Sequence, residues 1–359
     1  MDLINLYDFE AAARSRLSKM AYDYYASGSW DEVTLGENRA AYERLRLQYR
    51  VLRDISDRDL STTVLGQKVA LPVIVAPTAF HRLAHDEGEL ATARAAAAAG
   101  TIFMLSTLAT RSIEEVTETT DGPVWFQLYV YKDRGATRAL VERAKAAGCG
   151  AIVLTVDAQL WPHRERDERN RFHLPEGLEA KNLHGDAGQI SAGDAGSGLA
   201  DYVTSLFDQS LSWPDVEWLC SLSDLPVVVK GIVHPEDARL AAEHGARAIV
   251  VSNHGGRQLD TAPATIDVLP EIAEAVGDRI EVLLDGGVRR GTDVVKALAL
   301  GARAVAVGRP ALWGLAVDGQ AGVERVLAIL RTELDRAVGL CGYAAIDDLG
   351  PELIWRPRS

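Results

Sequence analysis

One regularity restricts the folds open to this chain of 359 residues more than any other. From residue 72 onward, short β-branched runs alternate with alanine-rich amphipathic stretches. The strand-like runs are 72–76, 102–105, 124–129, 151–156, 226–230, 248–251, 281–284 and 304–307, eight in all. Between and after them, helical spacing marks 87–99, 136–147, 235–244, 264–276, 292–300 and 321–338, several of which end at a glycine suited to a helix C-cap. Short apolar runs without polar alternation are buried on both faces, as in a parallel sheet, and eight of them with intervening helices predict an α/β fold closed into a (β/α)8 TIM barrel.

Two stretches stand outside that rhythm. The amino-terminal 70 residues read as a helical cap: a helix over 8–26 that stops near Gly28, an amphipathic stretch over 38–45, and a hairpin over 60–69 turning near Gly66-Gln67. The interval from Asp157 to Pro226 is far longer than the handful of residues that a βα loop needs. Its middle, 185–198, is rich in Gly, Asp, Ala and Ser, which suits a lid over the active face or an insertion without function. The expected layout is one domain over 1–359, with a cap over 1–70, a barrel over 71–345 and a lid insertion over 158–212.

Barrels place chemistry at the carboxyl ends of their strands. After the run 248–251 comes Ser252-Asn253-His254-Gly255-Gly256-Arg257-Gln258-Leu259-Asp260. His254 offers a base that titrates near neutrality, Arg257 a planar fork for a carboxylate, and the glycines allow a substrate close to the backbone. A strand-end histidine that merely satisfies its neighbours has the same local sequence. After the seventh and eighth runs come Asp285-Gly286-Gly287-Val288-Arg289-Arg290-Gly291 and Gly308-Arg309-Pro310. Two arginine-bearing glycine loops on adjacent strands predict a phosphate cradle, with Asp285 turned toward hydroxyls. Lys230 ends the fifth run, either reaching solvent or facing a cofactor that gains negative charge. Asp157 ends the fourth, where a carboxylate could pair with His254 and raise its pKa or form an internal salt bridge. Tyr129 ends the third, as core packing or as a hydroxyl in the site, and Arg164 is one of several arginines just beyond the fourth.

Composition removes other classes. A net charge of −13 without a basic block argues against nucleic acid or an acidic membrane surface as partner. The three cysteines, Cys149, Cys220 and Cys341, are far apart and suggest neither a disulfide framework nor a zinc site, so a reducing, cytoplasmic setting is expected. No signal sequence or membrane span is visible, the chain does not end in Ser-Lys-Leu, and there is no His-Glu-x-x-His or Gly-x-Ser-x-Gly motif.

Taken in order, Tyr24-Tyr25-Ala26-Ser27-Gly28, Ala76-Pro77-Thr78-Ala79, Gln127-Leu128-Tyr129, Leu154-Thr155-Val156-Asp157, Lys230-Gly231, 252–260, 285–291 and 308–310 resemble the FMN-dependent α-hydroxy acid oxidase family from the first helix to about residue 345. The resemblance implies that Pro77, Thr78 and Ala79 lie along the flavin near N5. It implies that Ser106, Gln127 and Thr155 hydrogen-bond the ring, with Lys230 near N1 and the C2 carbonyl and Ser252 beside them. Asp285 would reach the ribityl chain, and Gly287, Arg289, Gly308 and Arg309 would hold the phosphate. Tyr24 and Arg257, with Arg164 from the lid side, would bind the substrate carboxylate, and Tyr129 its hydroxyl. His254 would be the base, Asp157 its countercharge.

The implied reaction oxidises an (S)-2-hydroxy acid to the 2-oxo acid, with dioxygen reduced to hydrogen peroxide. Whether His254 removes the hydroxyl or the Cα proton stays open. Leu108 stands where glycolate oxidases have tryptophan and opens space, which Trp161 could refill; a small aliphatic substrate such as L-lactate is favoured over an aromatic one. Gln159 and Pro162 replace the proline and glycine usual in that loop. Within the family, a dehydrogenase using a quinone or cytochrome and a lactate monooxygenase are the alternatives; outside it, a barrel isomerase acting on a sugar phosphate. The family implies a homo-oligomer, tetramer or octamer.

Overall fold

The valine- and isoleucine-rich runs become strands in the computed structural model, which describes residues 2–183, 190 and 197–355. In chain order the strands are β1 (Arg46–Leu47), β2 (Thr62–Val64), β3 (Gln67–Val69), β4 (Val73–Val75), β5 (Phe103–Leu105), β6 (Val124–Leu128), β7 (Ile152–Thr155), β8 (Val227–Ile232), β9 (Ala248–Val251), β10 (Glu281–Asp285), β11 (Ala304–Val307) and β12 (Ile354–Trp355). Strands β4 to β11 pair in sequence order, each parallel to the next, and β11 closes on β4. The predicted (β/α)8 barrel is therefore present, and every predicted barrel strand falls within two residues of its observed limits.

Why these strands carry apolar residues at every position follows from the period-2 alternation of Cβ directions. One set of side chains, including Ile74, Met104, Trp125, Val153, Val228, Val250, Leu283 and Ala306, fills the barrel interior. The alternate set, including Val75, Phe126, Leu154, Val229, Ile249, Leu284 and Val305, packs outward beneath the helices. Val64 and Val69 of the antiparallel β2–β3 hairpin belong to the interior cluster, and the Trp125 indole donates to Gln67 Oε1 at 2.9 Å. The hairpin thus plugs the amino-terminal end of the barrel. The opposite end, where all eight strands finish, is left for the site.

The cap departs from its sequence reading in an instructive way. The single helix expected over 8–26 is two helices, Leu6–Arg16 and Lys19–Ala26. Ser18 breaks it, because its hydroxyl accepts from the Ala21 amide at 3.2 Å as the N-cap of the second helix. The stretch expected over 38–45 begins earlier, as helix Val33–Arg44. Its first amides are capped from a distant loop: Asp260 accepts from Val33 N at 3.3 Å and Thr34 N at 2.8 Å. A cap supplied from more than two hundred residues away leaves no local signal. Strand β1 pairs with β12, tying the cap to the chain's end.

The long interval between β7 and β8 contains helices Glu165–Arg169, Gly198–Leu206 and Trp213–Ser221, while most of its Gly- and Ser-rich middle, 184–189 and 191–196, lies outside the described residues. After β11 the helix Arg309–Leu340 is broken at Asp318 and Gly319, so the helix expected over 321–338 is preceded by a short extra one. The two halves fold back where Gly322 meets Gly314: a Cβ on Gly322 would lie 1.9 Å from the Gly314 carbonyl oxygen. Gly322→Ala is accordingly expected to destabilise the protein by about 1–3 kcal/mol, the usual cost of overpacking a close contact, read as a lower urea midpoint at unchanged slope. Among the described residues, no helix is long and apolar enough to cross a membrane.

Candidate active site

Parallel strands deliver their last residues to one rim, so positions far apart in sequence meet there. A cavity opens at that rim and is lined from Tyr24 in the cap to Arg309 after β11. Pro77, Thr78 and Ala79 leave β4, Ser106 and Leu108 leave β5, and Tyr129 leaves β6; all line this cavity. Gln127 and Thr155 lie just beneath, hydrogen-bonded to one another at 3.0 Å, with the Ser106 hydroxyl 3.3 Å from Gln127 Oε1. Lys230 does not reach for solvent. It is 4% exposed, and its Nζ donates to Ser252 Oγ at 3.1 Å and stands 3.5 Å from Asp285 Oδ2.

The His254 ring faces the same space. Its Nδ1 lies 2.8 Å from Asp157 Oδ1, leaving Nε2 free of any hydrogen bond to the described residues. A bulge in β8 between Lys230 and Ile232 makes this pairing possible: a Cβ on Gly231, at φ +113°, would sit 2.7 Å from the Asp157 carboxyl carbon. His254 itself adopts φ 57°, held by its amide donating to Ser252 Oγ at 3.1 Å, a left-handed conformation that costs a histidine about 1 kcal/mol or more. Such strain is tolerated where surrounding bonds over-determine the backbone.

The electrostatics of the pair correct one expectation. Asp157 was expected to raise the His254 pKa, and it does pull in that direction. Burial pushes the other way and dominates, helped by the positive charges of Lys230 and Arg164, so His254 lies below its ordinary value of 6.5. Asp157 is also pushed up by burial, but the charge and hydrogen bond of His254 and the charge of Lys230 hold it below the usual carboxylate range. A neutral imidazole beside an ionised carboxylate is the resting arrangement, which is what a base requires.

Opposite His254 stand two guanidiniums. Arg257 Nη1 donates to the carbonyls of Tyr24 at 2.6 Å and Ser27 at 2.9 Å, and its guanidinium lies over the Tyr24 ring at 5.0 Å. Arg164 donates through Nε to the Arg257 carbonyl at 3.0 Å and through Nη2 to Gln258 Oε1 at 3.1 Å, and stacks on Trp161 at 4.1 Å. Arg257 has no carboxylate partner among the described residues. Phe172 stacks on Tyr24 at 4.2 Å, and Phe207 stacks on Tyr129 at 4.6 Å. With Leu108, Trp161, Leu199 and Val203, Phe207 makes an apolar roof. Phe172, Leu199, Val203, Phe207 and Gln258 were not singled out from the sequence. Gln258 lay within the loop after β9, but the residues between β7 and β8 carry no motif, and only their folded positions reveal them.

Whether the far side of the cavity fits a phosphorylated cofactor can be tested on its unsatisfied groups. The Arg309 guanidinium donates only to backbone carbonyls, those of Tyr25, Gly255 and Ser27 at 2.9–3.0 Å, and the Arg289 guanidinium only to that of Val288. Neither meets a carboxylate at ion-pair distance among the described residues. Burial, together with neighbouring guanidiniums, pulls both below the ordinary arginine value. Clustered guanidiniums without a direct ion-pair partner call for an anion. Nearby, Asp285 Oδ1 is buried without a hydrogen-bond partner and can accept from a hydroxyl. Gly287 and Gly308 line the same recess, and the short helix after Gly308 presents its amino terminus there. Among the described residues no cluster of His, Cys, Asp or Glu could hold a metal ion.

An anion cradle at β10 and β11, a hydroxyl acceptor between it and a buried lysine, and an imidazole base across the cavity together define the class of barrels that carry a flavin mononucleotide over their strand ends. The chain belongs to the FMN-dependent dehydrogenase family, whose model matches residues 13–356. It is 56% identical to the L-lactate oxidase of Nostoc sp. over 351 residues, 96% of each chain. It is 51% identical to the glycolate oxidase of Spinacia oleracea over 350 residues, 97% of this chain and 95% of that one. A crystal structure of mandelate oxidase with (S)-4-hydroxymandelic acid superposes with a TM-score of 0.93 at 46% identity, covering 96% of both chains. The family recognised from strand-end motifs is thus the observed one, and FMN is its cofactor.

Proposed function

We propose that this chain oxidises an (S)-2-hydroxy acid, with a small aliphatic acid such as L-lactate favoured, to the 2-oxo acid with reduction of dioxygen to hydrogen peroxide. The observation that carries this reading is the placement of the His254–Asp157 pair and the Arg164–Arg257 pair on one cavity. A carboxylate held by the two guanidiniums sets the neighbouring carbon and its hydroxyl before the imidazole, as orientation-driven catalysis requires. Tyr24 adds a donor on the carboxylate side, and Tyr129 one on the hydroxyl side, its phenol kept protonated by burial and by the negative charge of Asp157.

Each remaining residue has a task in this scheme. His254 Nε2 takes up the proton released from the substrate, and Asp157 stabilises the imidazolium through Nδ1. Pro77, Thr78, Ala79, Ser106, Gln127, Thr155, Lys230 and Ser252 would hold the isoalloxazine ring, Asp285 the ribityl hydroxyls, and Gly287, Arg289, Gly308 and Arg309 the phosphate. FMN, when bound, would supply the two-electron acceptor chemistry of this oxidation. The Leu108–Trp161–Phe207 roof excludes water and bounds the substituent on the substrate carbon, which supports a small side chain. The free cysteines Cys149, Cys220 and Cys341 suit the cytoplasm. The exposed Val51, Leu52 and Leu340 suit burial in a homo-oligomer.

An anaerobic spectral titration of the FMN-loaded protein with L-lactate, glycolate and L-mandelate, followed by air and peroxide detection, tests the proposal. Bleaching is expected with L-lactate at the lowest concentration, then rapid recovery with stoichiometric peroxide. Bleaching with slow recovery would identify a dehydrogenase. Acetate in place of pyruvate would identify a monooxygenase, and no bleaching with any acid would remove the hydroxy acid assignment.

A further inference from the structure

The lid buries a charge that the proposed chemistry does not use. Asp167 lies in the short helix Glu165–Arg169 and is 1% exposed, and neither carboxylate oxygen has a hydrogen-bond partner among the described residues. A buried carboxylate without hydrogen bonds is costly and persists only beside a compensating charge. The nearest is Arg164, whose Nη1 stands 3.9 Å from Asp167 Oδ2, an ion pair too long to be a hydrogen bond. Arg164 has already committed Nε and Nη2 to the 257–258 backbone and side chain, so Nη1 is the amine that remains. Burial pushes the Asp167 carboxyl up even though Arg164 and Arg257 both pull it down, the mark of a pair that is only partly compensated.

The two arginines face the converse problem. Arg164 is buried beside Arg257, whose like charge adds to burial in disfavouring its charged form. Asp167 is the one carboxylate within ion-pair distance of either guanidinium among the described residues. We propose that Asp167 is a positioning residue that acts as an internal stand-in for the substrate carboxylate. It balances the Arg164–Arg257 pair before substrate arrives and so limits how tightly that pair holds an incoming carboxylate. This rests on the reading above that the two arginines receive that carboxylate.

Asparagine at 167 removes the charge and keeps the shape. The local backbone has its own supports, since the Phe172 amide donates to the Asp167 carbonyl at 2.9 Å and the Phe172 ring is stacked on Tyr24. With the countercharge gone, an anionic ligand meets two uncompensated guanidiniums. In the FMN-loaded enzyme, Asp167→Asn is expected to lower the Kd for oxalate, read from the visible flavin absorption, by about three- to tenfold at moderate ionic strength. KM for the best 2-hydroxy acid should fall in parallel, and kcat should change less than KM. Asp167→Ser, smaller and uncharged, carries the same expectation should the asparagine variant not fold. In an Arg164→Met background the Asp167 substitution should move the oxalate Kd less than it does in the parent, since only Arg257 then remains to be balanced.

An unchanged or raised oxalate Kd in Asp167→Asn, with Arg164→Met weakening oxalate, overturns the role of Asp167 and leaves the carboxylate site intact. An Arg164→Met variant that binds oxalate as the parent does overturns the carboxylate reading and this inference with it.

Discussion

His254→Ala should purify yellow, with FMN at full occupancy, and turn over about 10²- to 10⁴-fold more slowly than the parent, the range that a positioned general base contributes. The separation of the two effects follows from where the ring sits. The residues proposed to hold FMN are elsewhere: Arg289 and Arg309 in the recess at β10 and β11, Lys230 and Ser252 hydrogen-bonded to one another at the ends of β8 and β9. His254 touches them only through its amide bond to Ser252 Oγ, which alanine retains. Its imidazole meets Asp157 and the cavity, so truncation removes the proton acceptor without opening the phosphate cradle. Flavin content from the absorption spectrum and kcat from peroxide release measure the two quantities on one sample. A variant that keeps parental kcat would displace His254 as the base.

Asp157→Asn carries the second large effect, and its pH dependence can be given a sign. In the parent enzyme, His254 lies below 6.5, so the imidazole is neutral through neutral pH, and the acid limb of kcat/KM should fall below pH 6.5. Burial, Lys230 and Arg164 push the His254 pKa down, while the charge and hydrogen bond of Asp157 push it up. Removing the carboxylate therefore moves the acid limb further to low pH. The same loss leaves the imidazolium formed in turnover without its countercharge. An opposite charge at hydrogen-bond distance is worth about one to three pKa units, so the neutral-pH plateau should drop by about ten- to a thousandfold. Activity falling while the limb moves to acid is a signature that general loss of folding does not produce. A limb that moves upward in pH would show that Asp157 is not ionised beside His254.

Much of the site was legible because parallel strands all end at one rim. Once 248–251 and 281–284 are strands of one barrel, His254 and Asp285 must share a face, whatever the loops between them do. Two arginine-bearing glycine loops on adjacent strands placed Arg289 and Arg309 on one recess for the same reason. The split of the first helix at Ser18 was also present in the sequence, as an N-cap residue within an apolar period, but periodicity alone ran through it. The start of the helix at Val33 was not present locally, since its capping carboxylate is Asp260.

The sequence by itself determined the barrel, its strand limits to within two residues, the family and the residue types at each strand end. The barrel and its strand limits depend on near-neighbour chemistry, β-branched runs, glycine stops and the period of burial, and the family on the resemblance of the strand-end motifs. The tertiary structure alone decided the sign of the His254 shift, because burial and the approach of Lys230 and Arg164 are sums over elements that fold together from distant parts of the chain. It alone brought Phe207, Leu199 and Val203 over the cavity, and it alone isolated Asp167 beside Arg164 without a hydrogen bond. Desolvation has no one-dimensional signature. A carboxylate three residues after an arginine carries no mark in the sequence of the burial that the fold imposes on both.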